Sequence, residues 1–230
     1  MPGNKYILLS HVLNGHTPSY GDRDKLKIDE VSSINLGATA NSSIWHFSSN
    51  HLGTHIDVPR HFFPNGPTVT DYPLSFWSST KVQLIEKMTN HADLLDASLL
   101  KNISDCCPEV LLIRTGYEKY RNSERYWNDN PGISCELAVA IRETCPSVRI
   151  IGFDFISLTS WKHREEGKNA HRILLKPDLK GNSVCIIEDM SLKNTGKAIS
   201  EIFIIPLFVQ DANGSPVTVL AATNKKKNQL

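Results

Sequence analysis

The chain has 230 residues, 40% of them hydrophobic and 21% charged, and its 25 basic and 24 acidic side chains leave a formal charge of +1. That length can bury one substantial core. The charge balance lacks the basic excess of a nucleic-acid binder, and the apolar content is too high for an intrinsically disordered chain.

Taken in chain order, the first apolar run, Tyr6 to Leu9, is too short for a signal peptide or a membrane span. No later segment approaches the roughly 18 consecutive apolar residues of a transmembrane helix. Val82–Ile85 is a short apolar run of the kind that forms a strand. Leu94–Ile103 carries helical spacing, and Val110–Ile113 reads as a second strand. Ser134–Cys145 is predicted to be a helix capped by Ser134, with Leu137, Ala138, Ile141 and Cys145 on one face. Pro146 ends it, because proline cannot continue the hydrogen-bond ladder. Val148–Phe155, Val184–Ile187, Glu201–Val209 and Val217–Leu220 complete the predicted strands.

Strands with a few interspersed helices, not in regular alternation, predict a single α/β or α+β domain rather than a plain doubly wound sheet. Residues 1–222 are assigned to that domain and residues 223–230, with three consecutive lysines, to a solvated basic tail. The five cysteines (Cys106, Cys107, Cys135, Cys145, Cys185) are odd in number and lack CxxC spacing. They fit reduced thiols of a cytoplasmic protein, buried or incidental rather than catalytic.

Of nine histidines, three (His51, His55, His61) lie within eleven residues, where random placement would give about 0.4. With Asp57 they supply the nitrogen and oxygen donors that a divalent transition metal takes. Gly53 and Pro59 oppose a helix through this segment. In an extended chain, positions 51, 55, 57 and 61 would all point to one side. A straight strand would nevertheless leave residues 51 and 57 roughly 20 Å apart, too far to share an ion. The backbone must therefore curl, and Gly53 permits the turn. His51, His55 and Asp57 then converge on a metal, with His61 facing the same space. An exposed polar loop and the two-histidine-one-carboxylate iron site of oxygenases remain open alternatives on spacing alone.

The segment from His51 to Phe62 resembles the HxGTHxDxPxHF signature of the metal-dependent cyclase family, which includes bacterial-type kynurenine formamidases and isatin hydrolases. Leu8-Leu-Ser-His-Val-Leu13 resembles the opening strand of that family, with Leu9 in place of the usual aspartate. Ile151-Gly-Phe-Asp-Phe-Ile-Ser157 resembles its central GxDxxS strand. Ala170–Leu175 and Ile186–Glu188 resemble its downstream site segments, and Pro206-Leu207 with Asp211–Val217 its closing strand pair. Two departures stand out. Lys176–Asn182 lengthens the gap between His171 and Glu188, and Thr17–Asp22 lacks the Pro-Gly step common near the formamidase pocket.

The resemblance implies a swivelling β/β/α domain of mixed sheets with flanking helices, assembled as a homodimer or a higher homo-oligomer. It implies one or two divalent ions, zinc first and manganese second. By position, His51, His55 and Asp57 would hold the first ion, and Asp57, His171 and Glu188 a second, with Asp57 bridging; His61 would match the catalytic imidazole. The expected activity is hydrolysis of a small amide, formamide or lactam-like molecule by metal-activated water, with His61 as general acid and base. A cyclase or dehydratase using the ion as Lewis acid, and a non-catalytic metal-binding module, are the alternatives. No nucleic-acid or membrane partner is expected. Asp154, in an apolar strand, needs a partner and could either hold a ligand histidine or bond to backbone. Trp45, Phe47, Phe62, Phe63, Tyr72, Phe76 and Trp77 are expected to be mostly core, with one or two lining a pocket.

Overall fold

Three apolar runs, Val110–Ile113, Ile150–Phe153 and Cys185–Ile187, each buried on both faces, set the architecture of the computed structural model, which describes residues 5–103, 108–178, 182–195 and 198–223. The first elements are β1 (Lys5–Leu8), β2 (Leu26–Ser32), β3 (Ser42–Phe47), β4 (His55–Asp57), β5 (Ser78–Ser79), β6 (Val82–Glu86), β7 (Leu94–Leu95) and β8 (Val110–Arg114). There follow the single turn α1 (Arg125–Asn128), β9 (Gly132–Ile133), α2 (Cys135–Thr144), β10 (Ile150–Phe153) and α3 (Arg164–Leu175). The chain closes with β11 (Cys185–Glu188), β12 (Ile199–Pro206) and β13 (Gly214–Thr223), and short 3-10 turns join many of the elements.

Among the described residues, one sheet of nine strands runs in the order β5-β12-β13-β4-β11-β10-β8-β6, with β1 added along β13. β6, β8, β10 and β11 are parallel. β4 lies antiparallel to both β11 and β13, and β12 antiparallel to β13. The mixed sheet curls until β12 packs beside β6. In β8, Val110 and Leu112 enter the core inside the curl, beside Leu9, Ile56, Ile187 and Val219. Leu111 and Ile113 enter the other core, under α2 and α3 with Leu137, Ile141 and Leu174. Strand alternation thus fills both faces with apolar side chains, which is why these strands read as unbroken apolar runs.

Helix α2 forms as its sequence predicts: the Ser134 hydroxyl accepts from the Leu137 amide at 3.1 Å, and Leu137, Ala138 and Ile141 are buried. Leu94–Ile103 does not form the predicted α-helix. Leu94 and Leu95 pair with β9, and Asp96 then caps a 3-10 helix over Ala97–Asn102 by accepting from the Ser98 amide at 2.9 Å. The predicted Val148–Phe155 strand narrows to β10, and the predicted Glu201–Val209 strand shifts to Ile199–Pro206.

The longest elements without a counterpart in the sequence reading are α3 and the hairpin of β2 and β3, whose strands pair only with each other. That hairpin corrects part of the aromatic expectation, since Trp45 is 66% exposed and Phe47 is exposed beside it. Neither is core, because the hairpin stands off the main sheet. Trp77 is buried, and Tyr72 and Phe76 pack against the core around it. Thr223 is buried at the end of β13, while Asn224–Leu230, Cys106 and Cys107 lie outside the described residues. No described helix is long and apolar enough to cross a membrane.

Candidate metal centre

Strand β4 builds the centre by simple alternation. Ile56 points into the core inside the curl, so its neighbours His55 and Asp57 point to the opposite face. On β11, Glu188 lies opposite His55 in register, and the two side chains share that face. Upstream, Gly53 takes a left-handed φ of 65°, a conformation that strains any residue with a Cβ. The resulting curl folds His51 back until its Nδ1 is 2.7 Å from Asp57 Oδ1. Downstream, Pro59 opens a 3-10 turn over Pro59–His61 that returns His61 to within 4.2 Å of the His51 ring, centroid to centroid. Helix α3 lowers His171 onto the same face from the helix layer. Gly167 makes that approach possible, because a Cβ there would fall 2.5 Å from Thr159 Cα.

Asp57 is the shared element. Its Oδ1 faces His51 Nδ1 at 2.7 Å and His55 Nε2 at 3.6 Å, while its Oδ2 faces His171 Nε2 at 3.6 Å. Glu188 repeats the pattern, with Oε2 3.4 Å from His55 Nε2 and Oε1 3.4 Å from His171 Nε2. Apart from the 2.7 Å contact of His51, these nitrogen-to-oxygen separations are long for hydrogen bonds. They match two donors on one tetrahedral ion, which at bonds of about 2.0–2.1 Å sit about 3.4 Å apart. Donors of His51, Asp57 and His61, and of His55, Asp57 and Glu188, each lie within 4.8 Å of one another.

The ring orientations support that fit. His55 Nδ1 donates to the Gly53 carbonyl at 2.8 Å, and His171 Nδ1 donates to the Gly167 carbonyl at 2.9 Å. Each bond fixes the tautomer and turns the Nε2 lone pair toward the carboxylates, the usual arrangement of a metal-bound imidazole. His51 is anchored through Nε2, 3.1 Å from Asn213 Oδ1, an oxygen that also accepts from Asn50 Nδ2 at 2.7 Å. That leaves His51 Nδ1 turned to Asp57. Two acceptors at that distance require a proton or a cation between them.

The electrostatics follow from burial of two carboxylates among imidazoles. Burial alone would raise Asp57, but His51, His61 and His171 hold it well below the usual carboxylate range. Glu188, likewise buried, is drawn down to about 2 by His171 and His55. Burial would lower His55 and His171, yet the facing Glu188 and Asp57 raise them to about 9 and about 10. In the metal-free cluster, protons therefore stand where a cation would. The raised histidines stabilise the fold fully below their ordinary 6.5 and cease to do so as pH climbs through about 9 and 10. The depressed Glu188 stabilises above its ordinary 4.5 and ceases to as pH falls through about 2. Chelated protein should thus melt progressively lower from pH 6.5 to 10. Metal-loaded protein should not, because its ligands are already deprotonated. Melting curves across that range, with and without chelator, check this; a chelated curve that rises with pH would contradict the assignment.

The residues named from the sequence are brought together here: His51, His55, Asp57, His61, His171 and Glu188 line one cavity of about 400 Å³ with Phe62 and Tyr20. Other parts were not legible. Ser157 Oγ and the Leu158 amide both donate to Glu188 Oε1, at 3.2 and 2.7 Å. Behind Glu188, Asp189 has a left-handed φ of 53° and is gripped by Arg121 at 2.7 Å and by the Tyr126 hydroxyl at 2.6 Å. That grip fixes the turn that ends β11. Asp154 accepts from the Thr115 amide, the Thr115 hydroxyl and the Gly116 amide at 2.6–2.7 Å. It bonds to backbone and a hydroxyl rather than to a site histidine, which decides between its two readings.

Comparison with known proteins places this geometry in context. A family model described as a putative cyclase matches residues 7–160. The chain is 26% identical over 224 residues to the kynurenine formamidase of Bacillus anthracis, covering 94% of this chain and 97% of that protein. Among solved structures, isatin hydrolase A from Labrenzia aggregata, bound to benzyl benzoate, superimposes with a TM-score of 0.81 at 19% identity. That likeness covers 96% of this chain and 94% of the other. A structure described as a potential metal-dependent hydrolase with cyclase activity gives 0.75 at 19% identity, covering 97% of this chain and 100% of the other. At such identities the two structures show the shared α/β fold.

Proposed function

Because the chain belongs to the putative cyclase family, we propose that it is a metal-dependent hydrolase of a small amide, formamide or lactam-like substrate. The observation that carries this reading is Asp57, whose two oxygens face separate imidazoles, His51 and His55 on one side and His171 on the other. In the proposal His51, His55 and Asp57 hold one divalent ion, and Asp57, His171 and Glu188 hold a second. The mixed nitrogen and oxygen donors suit zinc, with manganese as the second choice. When bound, the ion supplies Lewis acidity, which polarises a carbonyl and makes water nucleophilic at neutral pH. The substrate class rests on the names kynurenine formamidase and isatin hydrolase borne by the relatives.

His61 carries the proton transfers in this reading. It stands at the cavity beside His51 and Phe62, and desolvation there pushes its pKa below the ordinary 6.5, although Asp57 pulls the other way. A neutral imidazole can take a proton from water and return it to the leaving nitrogen. Phe62 stacks on His171 at 5.0 Å between centroids and gives the cavity an apolar wall. A homodimer or higher homo-oligomer belongs to the same proposal, supported by Ile28, Trp45 and Phe47 exposed together on one face of the hairpin. So does a cytoplasmic location, supported by the thiols of Cys135 and Cys185, which form no disulfide among the described residues.

The test is elemental analysis of the purified protein, with its mass in solution, followed by a screen of formamides, cyclic imides and lactams in oxygen-18 water. Turnover should vanish on chelation, return with zinc or manganese, and place one labelled oxygen in the product. Turnover without metal, or product without label, would overturn the reading.

A further inference from the structure

Among the described residues, three that are not glycine take a positive φ: Asp22, Asp189 and Asp211. Asp22 and Asp211 lie in turns that solvent reaches, whereas Asp189 is fully buried, one residue past the end of β11 at Glu188. A left-handed residue with a side chain is strained, and it persists only where its surroundings over-determine it. Here they do. Arg121 Nε donates to Asp189 Oδ1 at 2.9 Å and Arg121 Nη2 to Oδ2 at 2.7 Å, while the Tyr126 hydroxyl donates to Oδ1 at 2.6 Å. Neither the ligand sets nor the proton transfers described above use any of these three side chains.

The main chain of Asp189 joins the segments that carry the ligands. Its amide donates to the Phe155 carbonyl at 2.9 Å, and its carbonyl accepts from the Thr54 hydroxyl at 2.5 Å. Phe155 opens the stretch that runs on to the site. Ser157 and Leu158 donate to Glu188 Oε1, and the Thr159 hydroxyl meets His171 Nδ1 at 3.2 Å. Asp189 is therefore one residue from Glu188 along the chain, and one hydrogen bond from the stretch that touches both Glu188 and His171. Those two are the ligands assigned to the second ion alone. The ligands of the first ion have other anchors: Asn213 holds His51, and the pairing of β4 with β11 and β13 holds His55 and Asp57. On that side Asp189 reaches only the Thr54 hydroxyl.

We propose that Asp189 is a positioning residue: clamped by Arg121 and Tyr126, its turn aims the Glu188 carboxylate and so sets the affinity of the second ion. The inference rests on the two-ion reading of the metal centre and deepens it by naming what holds one ion's ligands and not the other's. Groups that orient a ligand from behind are commonly worth 10- to 100-fold in metal affinity. The Arg121 cation also cancels a third buried carboxylate beside Asp57 and Glu188, so the clamp stiffens the turn without adding net charge.

Removing Arg121 would leave a buried carboxylate unpaired and threaten the fold. The test therefore uses Asp189→Asn, which keeps the shape and tolerates a left-handed φ, and Tyr126→Phe, which removes one donor. Metal-free protein is titrated with Co2+, and the two binding steps are followed by visible absorption. The dissociation constant of the second ion should rise about tenfold in Asp189→Asn and less in Tyr126→Phe, with that of the first ion unchanged. Ile85→Val, in β6 away from the site, is the structural control: it lowers the melting temperature and leaves the ratio of the two constants at its wild-type value. In the metal-free chain the NMR signal of the Leu158 amide reads the Glu188 carboxylate directly. Both variants should move it upfield, toward its place in Glu188→Ala. Equal weakening of both ions in Asp189→Asn would overturn the clamp and leave Asp189 a plain structural residue. A Leu158 signal that moves, in a protein whose wild type takes up no second ion, would retain the clamp and remove the two-ion reading. Two ions bound with unchanged constants in both variants, and an unmoved Leu158 signal, would do the reverse.

Discussion

Asp57→Asn is expected to lose both ions and reduce hydrolysis to background, the largest effect of any single change in this chain. Asp57 is 1% exposed and each of its oxygens faces a different imidazole. Asparagine keeps one oxygen and replaces the other with an amide nitrogen that donates, so one face of the bridge would present hydrogen atoms to an imidazole or an ion. It also removes a buried charge that holds His55 and His171 protonated when no cation is present. Glu188→Gln is the informative contrast. Glu188 reaches both His55 and His171, but in the proposed ligand sets it holds only the second ion, so that variant should retain the ion of His51, His55 and Asp57. Elemental analysis should then fall from about two ions per chain to about one, rather than to none. Circular dichroism beside each measurement separates lost metal from lost fold. Full occupancy in Asp57→Asn would remove Asp57 from the coordination sphere.

The half of this site that lies between His51 and His61 was legible because its determinants are local. Gly53 and Pro59 sit inside the donor pattern, and a short segment must curl where glycine allows and stop where proline dictates. The parallel strands were legible for the opposite reason: burial on both faces leaves a run with no polar interruptions, as in Val110–Ile113.

Helix α3 was not legible. Its first turn is Arg164, Glu165 and Glu166, and Gly167 follows, a residue that disfavours helix by about 1 kcal/mol against alanine. Only the close passage of Thr159 explains that glycine, and Thr159 is a tertiary neighbour. The position of His171 on the site therefore came from resemblance and not from any periodicity. Asn213 is a stronger case, since it orients His51 from 162 residues away, through the pairing of β13 with β4. Nothing in the neighbourhood of either residue announces the contact. The hairpin escaped because its strands pair only with each other and bury almost nothing, which leaves no burial pattern to read; every residue of β3 is exposed.

His61→Ala carries the second large expected effect, a fall in kcat of about 10²- to 10⁴-fold, the range for removing a general acid or base. The geometry supplies a direct rival, because His61 donors lie within 4.8 Å of those of His51 and Asp57, close enough for His61 to be a ligand. Metal content decides between the two. A base that is not a ligand leaves occupancy intact when it is removed, whereas a ligand takes the ion with it. The pH profile gives a second discriminator. Desolvation lowers the His61 pKa, and His51 and His171 add to that effect against the pull of Asp57 and Glu188. A base must be neutral to accept a proton, so wild-type kcat/KM should rise with pH through a value below the ordinary 6.5 and then level off. Bound cations beside the ring would press that value lower still. In His61→Ala the rising limb should disappear, and added imidazole should restore part of the rate while the metal stays in place. Retention of the limb in the variant would assign it to another group and leave His61 without the proton transfers.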